Sequence, residues 1–557
     1  MNDKFTQYRQ TCCYLPGTMP VKLFFTFFIN TYLTLMKPTT IRSVITASSV
    51  GTMIEWYDFY IFGMLAKTIS TQFFPEGNST AALLSTLAIF AAGFIVRPFG
   101  ALVFGRLGDL IGRKYTFLLT LVLMGGSTFL IGLVPGYKTI GIAAPLLVLL
   151  LRLIQGLALG GEYGGAATYV AEHAPAHKRG LYTSWIQTTA TLGLFVALGV
   201  IMLVKLNMPD ASFNAEWGGW RYPFWISILL VAVSVYIRLK MSESPLFSKL
   251  KEEGKTSVNP LKESFSHKAN FKMVLMALFG AVMGQGVVWY TGQFYAQNFL
   301  ETKCNIEFEQ SRTIMLWAIA FATPFFVFWG WLSDKIGRKW IMMAGMALAI
   351  FTYRPIFNIF LDDTKPGPPA SGMISATPII LKPSKKEIMN NGDSLITYIH
   401  RNIKHRRLTF DQTVTDTIFA KPMKAMPGEK SSGVDSMVYS RMSPPKDINI
   451  QLDQNLYWKF VGLVFILILY VTMVYGPIAA FLVEMFPTKI RYTSMSLPYH
   501  IGNGVFGGLV PFIGLLLTTS FPADPLVGLW YPIGVAALCL LIGTVYLRNK
   551  IDENVED

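Results

Sequence analysis

Charged side chains are scarce in this chain, 15% of 557 residues against ~25% in ordinary globular proteins. A soluble protein of this length would divide into several domains, each with a charged surface facing water. Here 52% of the residues are hydrophobic, and such surfaces cannot be built. Cysteine is rare as well. Cys12, Cys13, Cys304 and Cys539 make neither a disulfide framework nor a metal-binding spacing, and only the Cys12–Cys13 pair raises lipidation. No nucleophile–base pair, metal cluster or phosphate-cradling loop is legible, so an enzyme is not expected, nor a cofactor or metal. A cleavable signal is lacking too: residues 21–36 (VKLFFTFFINTYLTLM) are apolar but have no small-residue cleavage site. Met36 opens an ordinary lead into the first apolar run, which makes residues 1–35 a loose extension or a mis-assigned start.

What abounds is hydrocarbon. Runs near or above the ~20 residues that cross a bilayer recur, for example at 116–134, 221–239, 460–483 and 526–547. The expected fold is all-α and integral to a membrane, with twelve spans near 44–68, 82–104, 116–134, 142–171, 181–205, 221–240, 272–299, 313–332, 340–361, 456–482, 493–518 and 526–547. The net charge of +15 does not indicate nucleic acid, because Lys and Arg gather in the loops of one side, above all at 238–272. That asymmetry places both termini in the cytoplasm by the positive-inside rule.

Two short phrases each occur twice. GRLGDLIGRK (105–114) returns as GWLSDKIGRK (330–339), and AEHAPAHKRG (171–180) shares Glu-x-x-Pro-x-x-x-Arg with VEMFPTKIRY (483–492). The first repeats from 105 to 330 and the second from 172 to 484, so 87 residues have been added between them in the second copy. Composition locates the addition, since 362–455 turns polar and rich in Pro, Lys, Asp and Ser (DDTKPGPPASG, RNIKHRR). Span parity puts this insert outside the cytoplasm; patches such as SATPIILK and DINIQL would support a few strands, and a flexible loop is the alternative. The resulting layout is an N-terminal extension (1–43), a six-helix half (44–240), a central loop (241–271), helices seven to nine (272–361), the insert (362–455), helices ten to twelve (456–548) and a tail (549–557). Two repeated halves are a known transporter plan, with the binding site where they meet.

The repeated phrase resembles the loop signature of the major facilitator superfamily, G-x-L-x-D-x-x-G-R-K. It is met by Gly105, Leu107, Asp109, Gly112, Arg113 and Lys114, and again by Gly330, Leu332, Asp334, Gly337, Arg338 and Lys339. EWYDFYIFG (55–63), RPFG (97–100) and RLIQGLALGGEYGGAATYVAEHAP (152–175) are similar, more narrowly, to the metabolite:proton symporter family of proline/betaine, α-ketoglutarate, citrate and shikimate carriers. The likeness covers about 36–360 and 456–548. It implies a bacterial inner-membrane carrier, functional as a monomer. It also implies a latch in which Asp109 bridges to basic groups and a neighbouring helix N-terminus, an arrangement worth ~0.3–1 kcal/mol, or ~2 if partly buried. Gly105, Asp109, Gly112, Arg113, Glu172, Arg179, Asp334, Arg338, Glu484 and Arg491 are the latch candidates; plain topological anchoring is the competing reading of the basic residues.

Glu55, Asp58, Arg97, Arg152 and Glu162 fall within predicted spans, with Lys67 near the end of one. Each charge costs roughly 2.5–3.5 kcal/mol at mid-bilayer, so six left unpaired would cost ~15–20 kcal/mol, more than the ~5–15 kcal/mol net stability of a typical protein. They must face a wet cavity or one another. Glu55 and Asp58 share a helix face, and two neighbouring carboxylates in a poor dielectric do not both ionise; this pair is the candidate proton carrier, with Arg97 as counter-ion. Gln155 and Glu162 lie on one stripe, and Arg152 is too far from Glu162 to pair with it. Structural ion pairing is the bland alternative. Gly156, Gly160 and Gly164, four apart, read as close helix packing.

In span seven, Gln285, Trp289 and Gln293 recur every four residues as a hydrogen-bonding aromatic stripe and are read as the second-half wall of the substrate site, with Gln155 a substrate-binding candidate of the first half, while Tyr295 onward reads as an interfacial belt. His500 and Asn503 are weaker candidates. A carboxylate substrate would be anchored by Arg97 or Arg152; a betaine-like cation would use Trp56, Tyr57, Tyr60 and Trp289. The chain stops ten residues after the last span, without the coiled-coil tail of osmotically regulated proline/betaine members, which favours a carboxylate. The function expected is proton-driven uptake of a small organic metabolite by alternating access. A facilitator or exchanger without net proton movement is the alternative on the same fold, and a non-transporting nutrient receptor is the alternative of another class.

Overall fold

The computed structural model describes residues 41–75, 79–239, 245–254, 257–365, 385–388, 394–405, 407–420, 438–442 and 446–549. The extension 1–35, the Cys12–Cys13 pair, the SATPIILK patch and most of the tail lie outside the described residues, as does the side chain of Arg113. Helices dominate, because in hydrocarbon each backbone N–H and C=O must be satisfied within its own segment. Among the described residues, ten segments are long and apolar enough to cross a bilayer. Helices α1 (Ile41–Met64) and α7 (Tyr222–Leu239) stand where the first and sixth predicted spans fall.

The chain forms two compact units. The first takes the residues up to Val274 together with Ala479–Leu497. It holds α1, α2 (Ser79–Ile95), α3 (Arg97–Ile111), α4 (Arg113–Ile131), α5 (Ala143–His173), α6 (Arg179–Leu206), α7 and, in the central loop, α8 (Pro260–Phe265). The glycines of α5 bring it onto the α2–α3 break. A Cβ on Gly156 would stand 2.2 Å from the Gly93 carbonyl oxygen, and one on Gly160 2.2 Å from that of Arg97. Only backbone without side chains fits there, which is the close packing the four-residue spacing predicts.

The second unit takes Leu275–Ile478 and Pro498–Lys550. It contains most of α9 (Lys268–Thr302), α10 (Phe308–Ile336), α11 (Arg338–Thr364), α12 (Gln454–Tyr475), α15 (Val510–Ser520) and α16 (Trp530–Tyr546). Helix α13 (Ile478–Met485) and the start of α14 (Arg491–His500) belong to the first unit; after Pro498 the chain continues in the second. Helix α9 carries π-helical turns at Leu278–Val282 and Thr291–Tyr295, and another follows α14 at Ile501–Gly507.

The insert contains strands, one of the two outcomes its composition allowed. Strands β1 (Lys385–Ile388), β2 (Ser394–His405), β3 (Leu408–Ala420) and β4 (Val438–Met442) pair antiparallel in that order, and β5 (Lys446–Leu452), which holds the DINIQL patch, pairs with β3. Strand β5 also grips the turn before α10. The Ile450 N–H donates to the Asn305 carbonyl (2.8 Å), the Glu307 N–H to the Ile450 carbonyl (2.9 Å), and the Gln310 amide exchanges two hydrogen bonds with the Leu452 backbone. Asp453 then caps α12 by accepting from the Leu456 N–H.

Candidate functional site

Two buried arginines share one aromatic cluster in the first unit. Phe59 and Phe62 come from one face of α1, Phe90 and Phe94 from one face of α2, since residues three and four apart are neighbours on a helix. Their ring centroids are 5.0 Å apart for Phe59–Phe90 and 5.2 Å for Phe90–Phe94. Arg97 opens α3 just after the break at Val96, and its guanidinium lies 4.2 Å from the Phe94 centroid and 5.4 Å from that of Phe59. From α5, the Arg152 guanidinium lies 4.3 Å from the Phe62 centroid and 5.0 Å from that of Phe90. The two like charges repel each other. Cation–π contacts offset part of the desolvation of each, up to about 2 kcal/mol apiece.

Arg152 has a neutral partner. Its Nη1 donates to Gln155 Oε1 at 2.5 Å, the Gln155 Nε2 donates to Thr128 Oγ1 at 2.9 Å, and the Thr128 hydroxyl donates in turn to the Met124 carbonyl. Arg152 Nε is buried without a hydrogen-bond partner. One α4–α5 step further on, Glu162 Oε2 accepts from Thr120 Oγ1 at 2.6 Å. The stripe of Gln155 and Glu162 on α5 therefore meets a matching stripe of Thr128 and Thr120 on α4, two turns apart. Sequence reading missed the threonines and the phenyl cluster; the spacings 120/128, 59/62 and 90/94 were the available signals.

Asp58 is fully buried, and its Oδ1 accepts from Ser227 Oγ of α7 at 2.5 Å while Oδ2 has no hydrogen-bond partner and faces Gly125 of α4. Helix α1 thus turns Asp58 toward a serine hydroxyl of α7, while Arg97 lies among the phenyl rings between α1 and α2. Glu55 is buried on the same helix. Tyr57 departs from the cation-cage expectation: its hydroxyl donates to the Pro223 carbonyl at 2.7 Å and its ring is fully buried against α7. Trp56 and Tyr60 do stand together, centroids 5.8 Å apart. Lys67, counted among the span charges, is exposed on the short helix Ala66–Phe73.

In the second unit, Gln285 and Asn503 exchange two amide hydrogen bonds of 3.0 Å, so the first member of the α9 stripe is joined to a residue that follows α14. Trp289 packs edge-on against Tyr290 and tilts toward Tyr475, whose hydroxyl meets that of Tyr499 at 2.9 Å; Gln293 and His500 are buried nearby in sequence. Tyr295 differs from the belt expectation. It is buried against Phe299 and Phe357, in the space left by Gly514 and Gly528. Gln285, Trp289 and Gln293 are buried, and π-helical turns of this kind occur frequently at functional sites.

The repeated phrases meet around the start of α14. Asp109 Oδ2 accepts from both the Thr493 N–H (2.9 Å) and Thr493 Oγ1 (2.7 Å), satisfying an orphan donor of the helix start. Gly105 lets α14 approach, a Cβ there standing 3.1 Å from the Thr493 Cα. Arg491 Nη1 and Glu172 Oε1 form an ion pair at 3.0 Å with both side chains fully shielded from solvent. Between them Tyr492 fills a slot made by Gly108, Gly161, Gly164 and Gly165, its hydroxyl donating to the Gly161 carbonyl. Arg179 is buried and Glu484 partly so.

The second copy of the loop phrase is arranged differently. Asp334 pairs with Arg338 of its own phrase at 3.0 Å, and Arg338 also donates to Ser333. The lysines act alike in both copies: Lys114 donates to the Leu239 carbonyl at the end of α7, and Lys339 to the Thr544 and Leu547 carbonyls at the end of α16. Cations suit those carbonyl ends. Gly112 (φ 116°) and Gly337 (φ 92°) make the breaks before α4 and α11 in backbone that only glycine adopts freely.

Known proteins agree with this architecture. Residues 44–257 match the model of the "Sugar (and other) transporter" family. An inner membrane metabolite transport protein of Escherichia coli, YhjE, is 31% identical over 487 residues, covering 86% of this chain and 88% of that one. The α-ketoglutarate permease of Escherichia coli is 36% identical, covering 58% of this chain and 72% of its own, and the proline/betaine transporter of that organism is 34% identical, covering 56% and 63%. The solved structure of the proton:xylose symporter XylE with 6-bromo-6-deoxy-D-glucose shares the fold at a TM-score of 0.62 and 15% identity, covering 91% of this chain and 96% of that one. The chain therefore belongs to the metabolite transporters of the major facilitator superfamily.

Proposed function

We propose that this protein is a proton symporter for a small organic anion, working by alternating access in the bacterial inner membrane, as a monomer with both termini in the cytoplasm. The observation that carries the reading is the pair of buried guanidiniums on one phenyl cluster. Arg152 is held by a neutral amide and by ring faces, with Nε unsatisfied, and a carboxylate is the group that completes such a site by paired charge-assisted hydrogen bonds. The name of one relative, α-ketoglutarate permease, supports a carboxylate; the proline/betaine relatives support a zwitterion, whose carboxylate would use the same arginines while Trp56 and Tyr60 meet its cationic end.

The proton would ride on Asp58. It is shielded from solvent and held by neutral hydroxyls, Ser227 and the neighbouring Thr128, so protonation removes a buried charge. Glu55 and Glu162 are further carriers in this reading. Asp109 on Thr493, and Glu172 on Arg491, with Arg179, Glu484 and the Asp334–Arg338 pair, would form the latch that breaks and re-forms in each cycle. In the second unit, Trp289 and Gln293 are the proposed substrate contacts.

The test is the external pH of proteoliposomes as single solutes are added, for the wild type and Asp58→Asn. Alkalinisation with one carboxylate, absent in D58N, is the expected result. Uptake of that solute without a pH change in either protein would instead identify a facilitator or exchanger, and uptake of no solute by the intact protein would return the receptor reading.

A further inference from the structure

The Arg152–Gln155–Thr128 chain points to a role for Gln155 of its own. We infer that Gln155 is a displaceable stand-in for the substrate carboxylate and thereby sets the preference for anions; this rests on the carboxylate reading above. Both Arg152 and Gln155 are at least 97% shielded from solvent in this state, so here the guanidinium depends on protein groups for its partners. Without a partner it would be a bare buried charge, which is costly. The Gln155 amide oxygen at 2.5 Å supplies one hydrogen bond, and Thr128, 2.9 Å from the Gln155 nitrogen, fixes which end of the amide points at Arg152.

The chemistry of the stand-in is what matters. An amide oxygen is neutral and offers the guanidinium one acceptor, whereas a carboxylate offers charge and two, in a geometry that matches the fork. Exchange of one for the other favours the substrate, and when the substrate leaves, the amide returns and the site is never left as an uncompensated cation. A neutral or cationic solute gains nothing from the exchange. Glutamine rather than glutamate at 155 is therefore the specificity-determining choice: a glutamate would neutralise Arg152 permanently and close the site to anions.

Purified full-length protein in detergent tests this through binding of α-ketoglutarate, followed by the shift it causes in thermal unfolding midpoint, for wild type, Gln155→Glu and Gln155→Leu. The expected result is that Q155E weakens binding at least about tenfold, while Q155L lowers the midpoint of the empty protein yet binds the anion as tightly or more tightly, because nothing has to be displaced. A role in packing alone predicts equal weakening by both variants, and that result overturns the inference. Unchanged binding by Q155E also overturns it while leaving the carboxylate reading intact. Absence of binding by the wild type to α-ketoglutarate and to a panel of other carboxylates removes both.

Discussion

The buried ion pair between Glu172 and Arg491 shows at the residue scale how much depends on a partner being present. Both side chains are fully shielded, and Arg491 is further tied to the Phe486 carbonyl and Thr488 Oγ1. Removing one partner leaves an uncompensated charge at a cost of ~3–5 kcal/mol, whereas replacing both with apolar side chains of similar volume is close to neutral. Glu172→Gln is therefore expected to lower the unfolding midpoint in detergent clearly, and the double change Glu172→Met, Arg491→Met to recover much of that loss. Additive losses would show that the two side chains do not stabilise each other. The spacing Glu-x-x-Pro-x-x-x-Arg announced both residues. That the glutamate of one copy pairs with the arginine of the other was not legible, because pairing across 319 residues is decided by packing and not by spacing.

At the scale of elements, loops are tied to loops by few but strong contacts. Glu216, between α6 and α7, accepts from the Thr139 hydroxyl (2.6 Å) and the Gly136 N–H (2.8 Å) of the turn between α4 and α5. The Thr139 hydroxyl first and then the Gly136 N–H hold its carboxyl below the usual range, opposed by burial and helped further by the charges of Arg221 and Lys138. A depressed folded value means that this tie is fully present above the ordinary glutamate range near ~4.3 and is lost as pH falls through the lower folded value. Glu216→Gln is expected to lower the unfolding midpoint at neutral pH, with the gap to wild type closing as pH falls below the ordinary glutamate range; a gap independent of pH would refute the ionic character of the tie. Helix positions themselves were readable from length and apolarity alone, since a span has few ways to satisfy its backbone in lipid. The π-turns in α9 and after α14 were not, because they answer to the Gly286–Gly502 approach and the Gln285–Asn503 pair, which exist only once those segments meet.

For the whole molecule, the insert is the feature that sets this chain apart from the duplicated plan. None of the residues proposed to touch substrate lies in it, but β5 clasps Asn305, Glu307 and Gln310 and leads directly into the cap of α12. Replacing 385–442 by a short linker while keeping 446–453 should leave uptake in place; extending the deletion through 452 should cost stability. Loss of all uptake in the first variant would make the insert part of the transport or sensing machinery. The sequence by itself determined the helical membrane architecture and the superfamily, because apolar runs and repeated turn glycines are local and a bilayer leaves them few alternatives. Only tertiary structure decided that Asp58 accepts from Ser227, that two arginines share four phenyl rings, that Gln285 exchanges hydrogen bonds with Asn503, and that Asp109 caps α14. Each of those depends on which helix faces come together, and side-chain partners at that distance are set by packing, which no local pattern encodes.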